Sequence, residues 1–453
     1  MHWLEATGLM IGLVLFFMAL GFPVAFAFLT ADIVGVVVFM GGERSVFELL
    51  GDLATGQERG IVQLIGNALS SLTTFALVPV PLFLLMGELF FHTGLALRVF
   101  DAIEKLMGRL PGRLSFLTVA GGTLFATLSG SSMANTALLG SLMVPEMTRR
   151  GYKKSMSIGP ILGTGGLAML IPPSALAVLL ATLARIDVGA LLIAGVLPGL
   201  VLAGMYVVLI LVRVKLDPEA APTYDVESVS ALVKLRLFVT DVLPMGVVIF
   251  LVIGLILLGW ATPSEAAAFG AAGVAGLAAA FRCLTWESLI KSIDGALRVT
   301  GMSFLIILGS STFSQILAFS GASGGMIAWA TGIDTTPIGA LLVMFAILLV
   351  LGMFMDQLSM MLLTVPIFFP LAQTFGFDLI WFGVIILLAL EISFTTPPFG
   401  LLLFVMKGVA PPGTTMRDIY LAAIPFMLCV IALVGLLILE PEIALYLTRI
   451  GGR

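Results

Sequence analysis

Four polar, irregular segments interrupt otherwise apolar stretches of this 453-residue sequence, and they hold the residues best suited to chemistry. They are rich in Gly, Ser, Thr and Pro, and they lie at Ser129 to Asn135, Gly163 to Ser174, Gly352 to Gln357 and Ser393 to Gly400. A Pro-Pro pair removes amide donors and leaves carbonyl oxygens of the preceding turn without helical partners. Such oxygens and nearby hydroxyl groups suit a hard cation such as Na+, whereas a helix N-terminus that restarts after a break suits a carboxylate. The chemistry indicated is joint binding of a cation and an organic anion.

The four segments form two pairs with the same order and spacing. Gly151 to Pro172 spans 21 positions, and Gly376 to Pro397 spans 21 again. A single Pro-Pro pair is typical of a simple kink, and a single small-residue segment is typical of close helix packing. Their joint repetition instead indicates a transporter built from two repeats around a central binding site.

Three acidic residues within or near the apolar runs receive separate interpretations. Asp356 is a functional candidate, because a carboxylate near the bilayer centre costs about 2.5–3.5 kcal/mol on insertion scales. It is also placed to cap the helix that follows, and the two roles are compatible. Glu391 precedes Thr395 by about one helical turn, which would direct it toward the same cavity. Glu265 stands at a predicted helix start, where capping is its expected role.

The composition defines the class of protein. Hydrophobic residues make up 60% of the chain and charged residues only 11%, whereas charged residues are about 25% of soluble domains. The sequence therefore predicts an integral membrane protein. The net charge of -4 is spread thinly, which argues against a nucleic-acid partner. Two cysteines and two histidines predict no disulfide framework, zinc site, haem site or organic cofactor.

Six apolar runs lie on either side of a polar break, so the chain divides into two halves. The first predicted repeat spans 1–214 and contains a hairpin at 114–147 and a broken helix at 155–182. A polar cytoplasmic linker follows at 215–240. The second predicted repeat spans 241–453 and contains a hairpin at 338–371 and a broken helix at 379–405. At the start of the chain, Gly21-Phe22-Pro23 is compatible with either a turn between two helices or a kink in one.

The charge distribution predicts the topology. The runs at 114–147 and 338–371 are too long for one membrane-spanning helix and short for two, as expected of re-entrant hairpins. Basic residues flank the first run on both sides, whereas no Lys or Arg lies between Arg298 and Lys407, so the hairpins would enter from opposite faces. The fold predicted is an all-α polytopic membrane protein with two inverted-topology repeats. Each repeat would have about five crossing helices, a re-entrant helical hairpin and a Pro-Pro broken helix, with both termini outside.

Several ordered motifs resemble the large membrane subunit, the DctM-type permease, of tripartite ATP-independent periplasmic (TRAP) transporters. They run almost from end to end of the chain and comprise GFPVAFAF, PLFLLMGEL (Pro81 to Leu89), SGSSMANTALLG, VPEMTRRGY, IPPSAL, AGVLPGL (Ala194 to Leu200), LGMFMD and TPPFGLLLF. The resemblance implies a sodium-driven, elevator-type importer in the bacterial inner membrane. It also implies two partners, a small membrane subunit and a periplasmic solute-binding protein, and a substrate that is a small carboxylate or sulfonate.

The resemblance also implies the positions of the ion and substrate sites. The residues expected to bind Na+ are Ser129, Gly130, Asn135, Gly165, Gly166, Pro172, Gly352, Asp356, Thr395 and Pro397. Those expected to bind substrate are Ser131, Ser132, Asn135, Ser174, Asp356, Gln357 and Thr396. The chain departs from many relatives at two of them. Asn135 replaces an Asp and so removes one negative charge, and Gln357 replaces a smaller residue or a proline.

The sequence also bears on three alternative functions. Ser129-Gly130 resembles part of the GxSG turn of a protease, but position 127 is Thr, and His2 and His92 are the only candidate bases, so no enzyme is predicted. A passive channel fits broken-helix sites poorly. A stand-alone sodium-coupled dicarboxylate carrier of similar architecture, which needs no binding protein, stays open as the alternative.

Overall fold

A computed structural model describes residues 2–40, 66, 69–70, 72–108, 110–129, 131–223, 230–332, 336–353 and 355–450, and within these ranges every regular element is a helix. The helices are α1 Trp3–Ala19, α2 Val24–Met40, α3 Pro79–His92, α4 Leu95–Met107, α5 Arg113–Ser129, α6 Ser132–Arg149, α7 Lys154–Leu170, α8 Ala175–Ala184, α9 Val188–Leu216, α10 Ala231–Leu257, α11 Pro263–Ala280, α12 Trp286–Phe319, α13 Ala322–Gly332, α14 Pro337–Leu351, α15 Gln357–Thr374, α16 Leu379–Phe394, α17 Leu401–Val409, α18 Met416–Leu439 and α19 Glu442–Ile450.

The described helices are those of a polytopic membrane protein. Six helical segments are long and apolar enough to cross a bilayer, and a seventh qualifies if the bent pair α7 and α8 is one span. Each of these segments holds at least 18 residues, close to the length that a hydrocarbon core of about 30 Å requires. The all-α prediction is therefore confirmed for the described residues.

Helix boundaries fall at the residues that break helical geometry. The first predicted hairpin covers α5 and α6, which end at the first residue and begin at the last residue of the SGSS segment, Ser129 and Ser132. The second corresponds to α14 and α15, which are separated at 352–356. The two predicted broken helices correspond to the pairs α7–α8 and α16–α17, and each pair is interrupted at a Pro-Pro sequence.

The start of the chain forms two helices rather than one kinked helix. Helix α1 ends at Ala19 and α2 begins at Val24. Gly21 between them has a φ of 85°, a left-handed conformation that a residue without a side chain adopts at little cost. The two 17-residue helices pack against each other, so the turn interpretation of Gly21-Phe22-Pro23 is correct.

The polar linker is shorter than predicted. Helix α10 begins at Ala231, inside the segment assigned to the linker at 215–240. Ser230 caps this helix by accepting a hydrogen bond from the Val233 amide at 3.4 Å. Because Lys and Arg are good helix formers, the charges at Lys234 and Arg236 do not prevent the helix from starting there.

Helices α7 and α16 form the centre of the molecule. Helix α7 is buried from Met156 to Leu170, and α16 is buried from Trp381 to Phe394. A helix that is apolar on all sides requires neighbours all round. Helix α7 packs against α5, α6, α9, α16 and α18, so both arms of the first hairpin rest on it.

Small residues set the closest helix contacts at this centre. A methyl group on Gly195 of α9 would stand 2.2 Å from the Leu170 backbone oxygen at the end of α7. We expect Gly195→Ala to force these helices apart at a cost of roughly 1–3 kcal/mol, and to lower the apparent melting temperature of the purified protein. Gly204→Ala in the same helix is the control, because nothing lies within 4 Å of the added methyl group. Equal melting temperatures for the two variants would contradict this packing.

Candidate functional site

One cavity brings the tips of the two hairpins together. Its volume is about 510 Å³, and it lies between both hairpins, the start of α8 and the helices α3 and α12. Its polar and charged lining residues in the described part of the chain are Glu88, Ser131, Ser132, Ser141, Ser303, Asp356 and Gln357. The remaining lining is apolar, as is usual for small-molecule sites in which a few polar groups orient the ligand.

The tip of the first hairpin is formed by a capped helix start. Ser131 has an extended backbone and stands at the N-cap of α6, where its hydroxyl accepts a hydrogen bond from the Ala134 amide at 3.3 Å. Ser132, the first residue of α6, is 3% exposed and lines the cavity. Gly130 and the side chain of Ser129 lie outside the described residues.

The tip of the second hairpin has the same construction, with a carboxylate as the cap. Asp356 accepts hydrogen bonds from the amides of Leu358 at 3.0 Å and Ser359 at 3.3 Å, and also from the Ser359 hydroxyl. The capping role predicted for Asp356 is therefore observed. Gln357 follows as the first residue of α15, and both residues line the cavity.

Glu391 of α16 connects the two hairpin tips. Its Oε2 accepts a hydrogen bond from the Gln357 Nε2 at 3.1 Å and lies 3.0 Å from the Ser132 hydroxyl. The same hydroxyl lies 2.9 Å from the carbonyl oxygen of Gly165 in α7. One carboxylate in a broken helix of the second half thus contacts both hairpins, which are more than 200 residues apart in sequence.

The Glu391 side chain fits in its place because the neighbouring residue Gly166 has no side chain. A methyl group on Gly166 would stand 2.7 Å from the Glu391 Cγ and 3.3 Å from its Oε1. A cavity of about 10 Å³ adjoins the carboxylate and is lined by Glu391, Tyr206 and Gly166 among others. That volume is close to the space that one water molecule needs.

Several buried polar atoms around α6 and α7 have no hydrogen-bond partner among the described residues. They are both amide atoms of Asn135, the Thr136 hydroxyl and the Glu391 Oε1. Asn135 and Thr136 are 0% exposed and lie three and four residues after Ser132, hence on the same face of α6. Buried polar atoms are nearly always paired in proteins, so these atoms are candidates to bind a further ligand.

The second broken helix has its own close contacts. A methyl group on Gly352 would stand 2.2 Å from the Ser393 hydroxyl, so the second hairpin touches α16 directly. Thr395 and Thr396 both donate their hydroxyls to the Ile392 carbonyl, at 3.0 and 2.7 Å. Their hydroxyl oxygens keep lone pairs available for another donor or a cation.

The two Pro-Pro sequences lie at equivalent breaks. Both the Pro172-Pro173 and the Pro397-Pro398 bonds are cis. After the first break, Ser174 caps α8 by accepting a hydrogen bond from the Ala177 amide at 3.2 Å. After the second, the Tyr420 hydroxyl donates to the Pro398 carbonyl at 2.7 Å.

The predicted substrate residues fall into two groups. Four of them line the cavity: Ser131, Ser132, Asp356 and Gln357. The other three do not line it: Asn135 is buried in the first turn of α6, Ser174 caps α8 next to the lining residue Ala175, and Thr396 donates its hydroxyl to the last turn of α16.

The sequence did not predict that α3 and α12 line the cavity. Glu88 of α3 and Ser303 of α12 are among its lining residues, and the Glu88 Oε2 lies 3.1 Å from the His92 Nε2. The one available signal was an acidic residue inside an apolar run at 81–89. Its contact with the hairpin cavity depends on helix packing that no local pattern reveals.

The family description "Tripartite ATP-independent periplasmic transporter, DctM component" matches residues 11–443 of the chain. The C4-dicarboxylate TRAP transporter large permease protein of Pseudomonas aeruginosa is 34% identical, over 82% of this chain and 86% of the relative. The ectoine TRAP transporter large permease protein of Halomonas elongata is 29% identical, over 99% of this chain and 100% of the relative. The sialic acid TRAP transporter large permease protein of Vibrio cholerae is 28% identical, over 89% of this chain and 95% of the relative.

Two solved structures share the fold. The YdaH transporter of Alcanivorax borkumensis has a TM-score of 0.61 at 13% identity, over 86% of this chain and 88% of that protein. MtrF of Neisseria gonorrhoeae, from a class of antimetabolite efflux pumps, has a TM-score of 0.55 at 15% identity, over 83% of each chain. At such low identity the likeness concerns the fold alone.

The contact between Gln357 and Glu391 can be tested directly. We expect Gln357→Ala to leave the buried Glu391 carboxylate with one donor fewer, at a local cost of about 1–3 kcal/mol. Hydrogen exchange should then become faster at both hairpin tips, as measured by mass spectrometry of peptides from the first turns of α6 and α15. The control is Gln373→Ala, which alters an exposed residue near the end of the same helix. Exchange rates equal to those of the control would contradict the connection.

Proposed function

The chain belongs to the DctM component family of TRAP transporters, and we propose that it performs sodium-coupled uptake of a small organic acid delivered by a periplasmic solute-binding protein. Membership confirms the resemblance read from the motifs, and it makes the chain a multi-pass inner-membrane transporter permease rather than an enzyme. The observation that carries the proposal is the single cavity shared by both hairpin tips.

The first proposed sodium site lies between the first hairpin and the α7–α8 break. Sodium is a substrate of the transport cycle here, and its ligands in proteins are oxygen atoms, including backbone carbonyls at unwound helix segments. The unpartnered Thr136 hydroxyl lies beside Gly165, where a methyl group would stand 3.3 Å from the Thr136 Oγ1. The Asn135 amide oxygen, one residue earlier in α6, has no partner either. These groups support a site that also uses the expected residues of the Gly165 to Pro173 segment.

The second proposed sodium site lies between the second hairpin and the α16–α17 break. The Asp356 carboxylate stands at one side of it, and the hydroxyls of Thr395 and Thr396 stand at the break. Gly352 brings the end of α14 against Ser393. An acidic group, hydroxyl oxygens and backbone carbonyls form a donor set that suits Na+ better than a softer metal.

The proposed substrate site is the cavity itself. Three helices begin at its wall: α6 at Ser132, α8 at Ala175 and α15 at Gln357. A helix N-terminus carries partial positive charge and free amide groups, so it favours an anionic group of a substrate. The substrates named for the three relatives above are organic acids, and we extend that class to this chain.

The inverted repeats and the elevator movement belong to the same proposal. Hairpin and broken helix follow one another in the same order in both halves, which supports two repeats divided at 215–240. Glu391 links both hairpins to the broken helices, so these elements would move together as one domain. Helices α3 and α12 also line the cavity and would belong to the scaffold.

Two partners follow from the family. A tripartite transporter comprises this large permease subunit, a small membrane subunit and a periplasmic binding protein. In the proposed cycle, sodium binding orders both hairpin tips, and the substrate released by the binding protein is enclosed between them and carried inward.

Uptake into proteoliposomes tests the function as a whole. Vesicles that contain this chain and its small subunit should accumulate labelled organic acid only with an inward Na+ gradient and the loaded binding protein outside. A K+ gradient of equal size is the control. Uptake that needs Na+ but not the binding protein would support the stand-alone carrier instead, and uptake without Na+ would overturn the proposed coupling.

Substitution of Asp356 tests sodium coupling separately from folding. We expect Asp356→Ala to raise the Na+ concentration for half-maximal uptake by roughly tenfold or more, equivalent to about 1.4 kcal/mol of lost binding. The matched control is Asp378→Ala, because Asp378 also caps a helix through two amides, those of Ile380 and Trp381, both at 2.9 Å. Each variant loses about 0.5–2 kcal/mol of capping energy, so both should insert alike. An unchanged Na+ dependence in Asp356→Ala would refute the assignment.

A further inference from the structure

Two prolines lie inside helix α15, the second arm of the second hairpin. They are Pro366 and Pro370, four residues apart. A proline has no backbone N–H, so the carbonyl four residues earlier loses its helical donor. Pro366 therefore frees the Leu362 carbonyl, and Pro370 frees the carbonyl of Pro366 itself. Two carbonyl oxygens without a helical donor thus lie on one side of α15, one turn or about 6 Å apart.

Serine hydroxyls from neighbouring helices bind such freed carbonyls at two places in this protein. Ser310 of α12 donates to the Leu362 carbonyl at 3.1 Å, and the contact is buried. Ser115 of α5 donates at 2.6 Å to the Met156 carbonyl of α7, which Pro160 frees. Both bonds satisfy backbone groups that lipid would leave unpaired, as expected where a proline interrupts a membrane-embedded helix.

The two bonds differ in what they join. Ser115 and Met156 both belong to elements that would move together in the proposed cycle. Ser310 belongs to α12, which would stay with the scaffold. The bond from Ser310 therefore crosses from the fixed part of the protein to the second hairpin, and it has to break when the hairpin moves.

Apolar side chains surround this bond. Phe313 and Ile316 of α12 share a buried cluster with Leu363 of α15. Ile367 packs against the same cluster, and Pro366 lies between Leu363 and Ile367 on that face of α15. Apolar contacts are non-directional, whereas a bond from a hydroxyl to a carbonyl requires a narrow geometry. The hydroxyl therefore sets the register in which α15 rests on α12.

We propose that Ser310 holds the second hairpin in either of two positions. Its hydroxyl binds the Leu362 carbonyl in the position seen here, and the Pro366 carbonyl when α15 has moved by one turn along α12. Positions between these two give the hydroxyl to neither carbonyl. One-turn shifts of one helix past another are an established way to switch between two packed arrangements. The inference rests on the elevator movement of the proposed function and specifies how its end positions are held.

Substitution of the two prolines should move the equilibrium between the positions in opposite directions. Pro366→Ala supplies an amide to the Leu362 carbonyl, so the hydroxyl of Ser310 is needed only in the displaced position, which becomes favoured. Pro370→Ala supplies an amide to the carbonyl of Pro366, so the position seen here becomes favoured. Because an unpaired buried carbonyl is costly, we expect each change to shift the ratio of the two positions by roughly tenfold.

Single-molecule fluorescence energy transfer measures both the ratio and the exchange rates. Dyes are attached at Arg149→Cys on the first hairpin and at Glu287→Cys on α12, where the native side chains are 74% and 75% exposed. The native thiols are removed by Cys283→Ser and Cys429→Ser. The sample is the complex of the large and small subunits in lipid nanodiscs with Na+, without the binding protein.

Two serine variants complete the test. Ser310→Ala removes the bond from both positions, so both exchange rates should rise by roughly tenfold while the ratio stays close to that of the wild type. Ser115→Ala is the control, because it removes the same kind of bond within the moving elements and should change neither the rates nor the ratio.

Shifts in the same direction from the two proline variants, or unchanged exchange rates in Ser310→Ala, would overturn the role of Ser310 and leave the proposed movement intact. A single inter-dye distance in every variant, in complexes that still take up substrate, would overturn the proposed movement and the inference together.

Discussion

The contact of one buried carboxylate with two hairpin tips is the interaction on which the rest of the site depends. Glu391 lies on a helix with no exposed face, and it contacts Ser132 from the first half and Gln357 from the second. An ionised group in such a place is costly unless it is hydrogen-bonded and electrically balanced. No Lys or Arg pairs with it in the described part of the chain. In the proposed cycle a cation bound nearby would balance this carboxylate, which gives a physical reason for ion binding to organise both hairpins.

The broken helices make this arrangement possible. At membrane depth an interrupted helix survives only where protein or a wet cavity satisfies its free backbone groups. Here the Ser132 hydroxyl reaches the Gly165 carbonyl, and Tyr420 reaches the Pro398 carbonyl. Glycines at the same places admit the close approach of neighbouring side chains. The features that interrupt the helices thus also leave backbone oxygens without helical partners and start new helices around one cavity.

Local chemistry made much of the fold predictable, and long-range packing made the rest unpredictable. Pro-Pro pairs and Gly-Ser segments disrupt a helix wherever they occur, so the four interruptions between helices lie close to the positions that the sequence predicts. Asp356 and Glu265 were recognised as caps because capping is a local property. The contacts of Glu391 and the place of Glu88 in the cavity depend on helices that meet across hundreds of residues, and no periodicity contains that information. The linker was predicted too long because its charged residues obscured a capped helix start.

The most direct measurement of the central claim is a cryo-electron microscopy structure of the assembled transporter in sodium buffer. The account predicts both hairpin tips at one cavity, with Glu391 within hydrogen-bonding distance of Ser132 and Gln357. It further predicts ion density beside the Asn135 amide oxygen and beside the Asp356 carboxylate, absent when potassium replaces sodium. Hairpin tips in separate cavities, or a Glu391 side chain directed away from both, would contradict it.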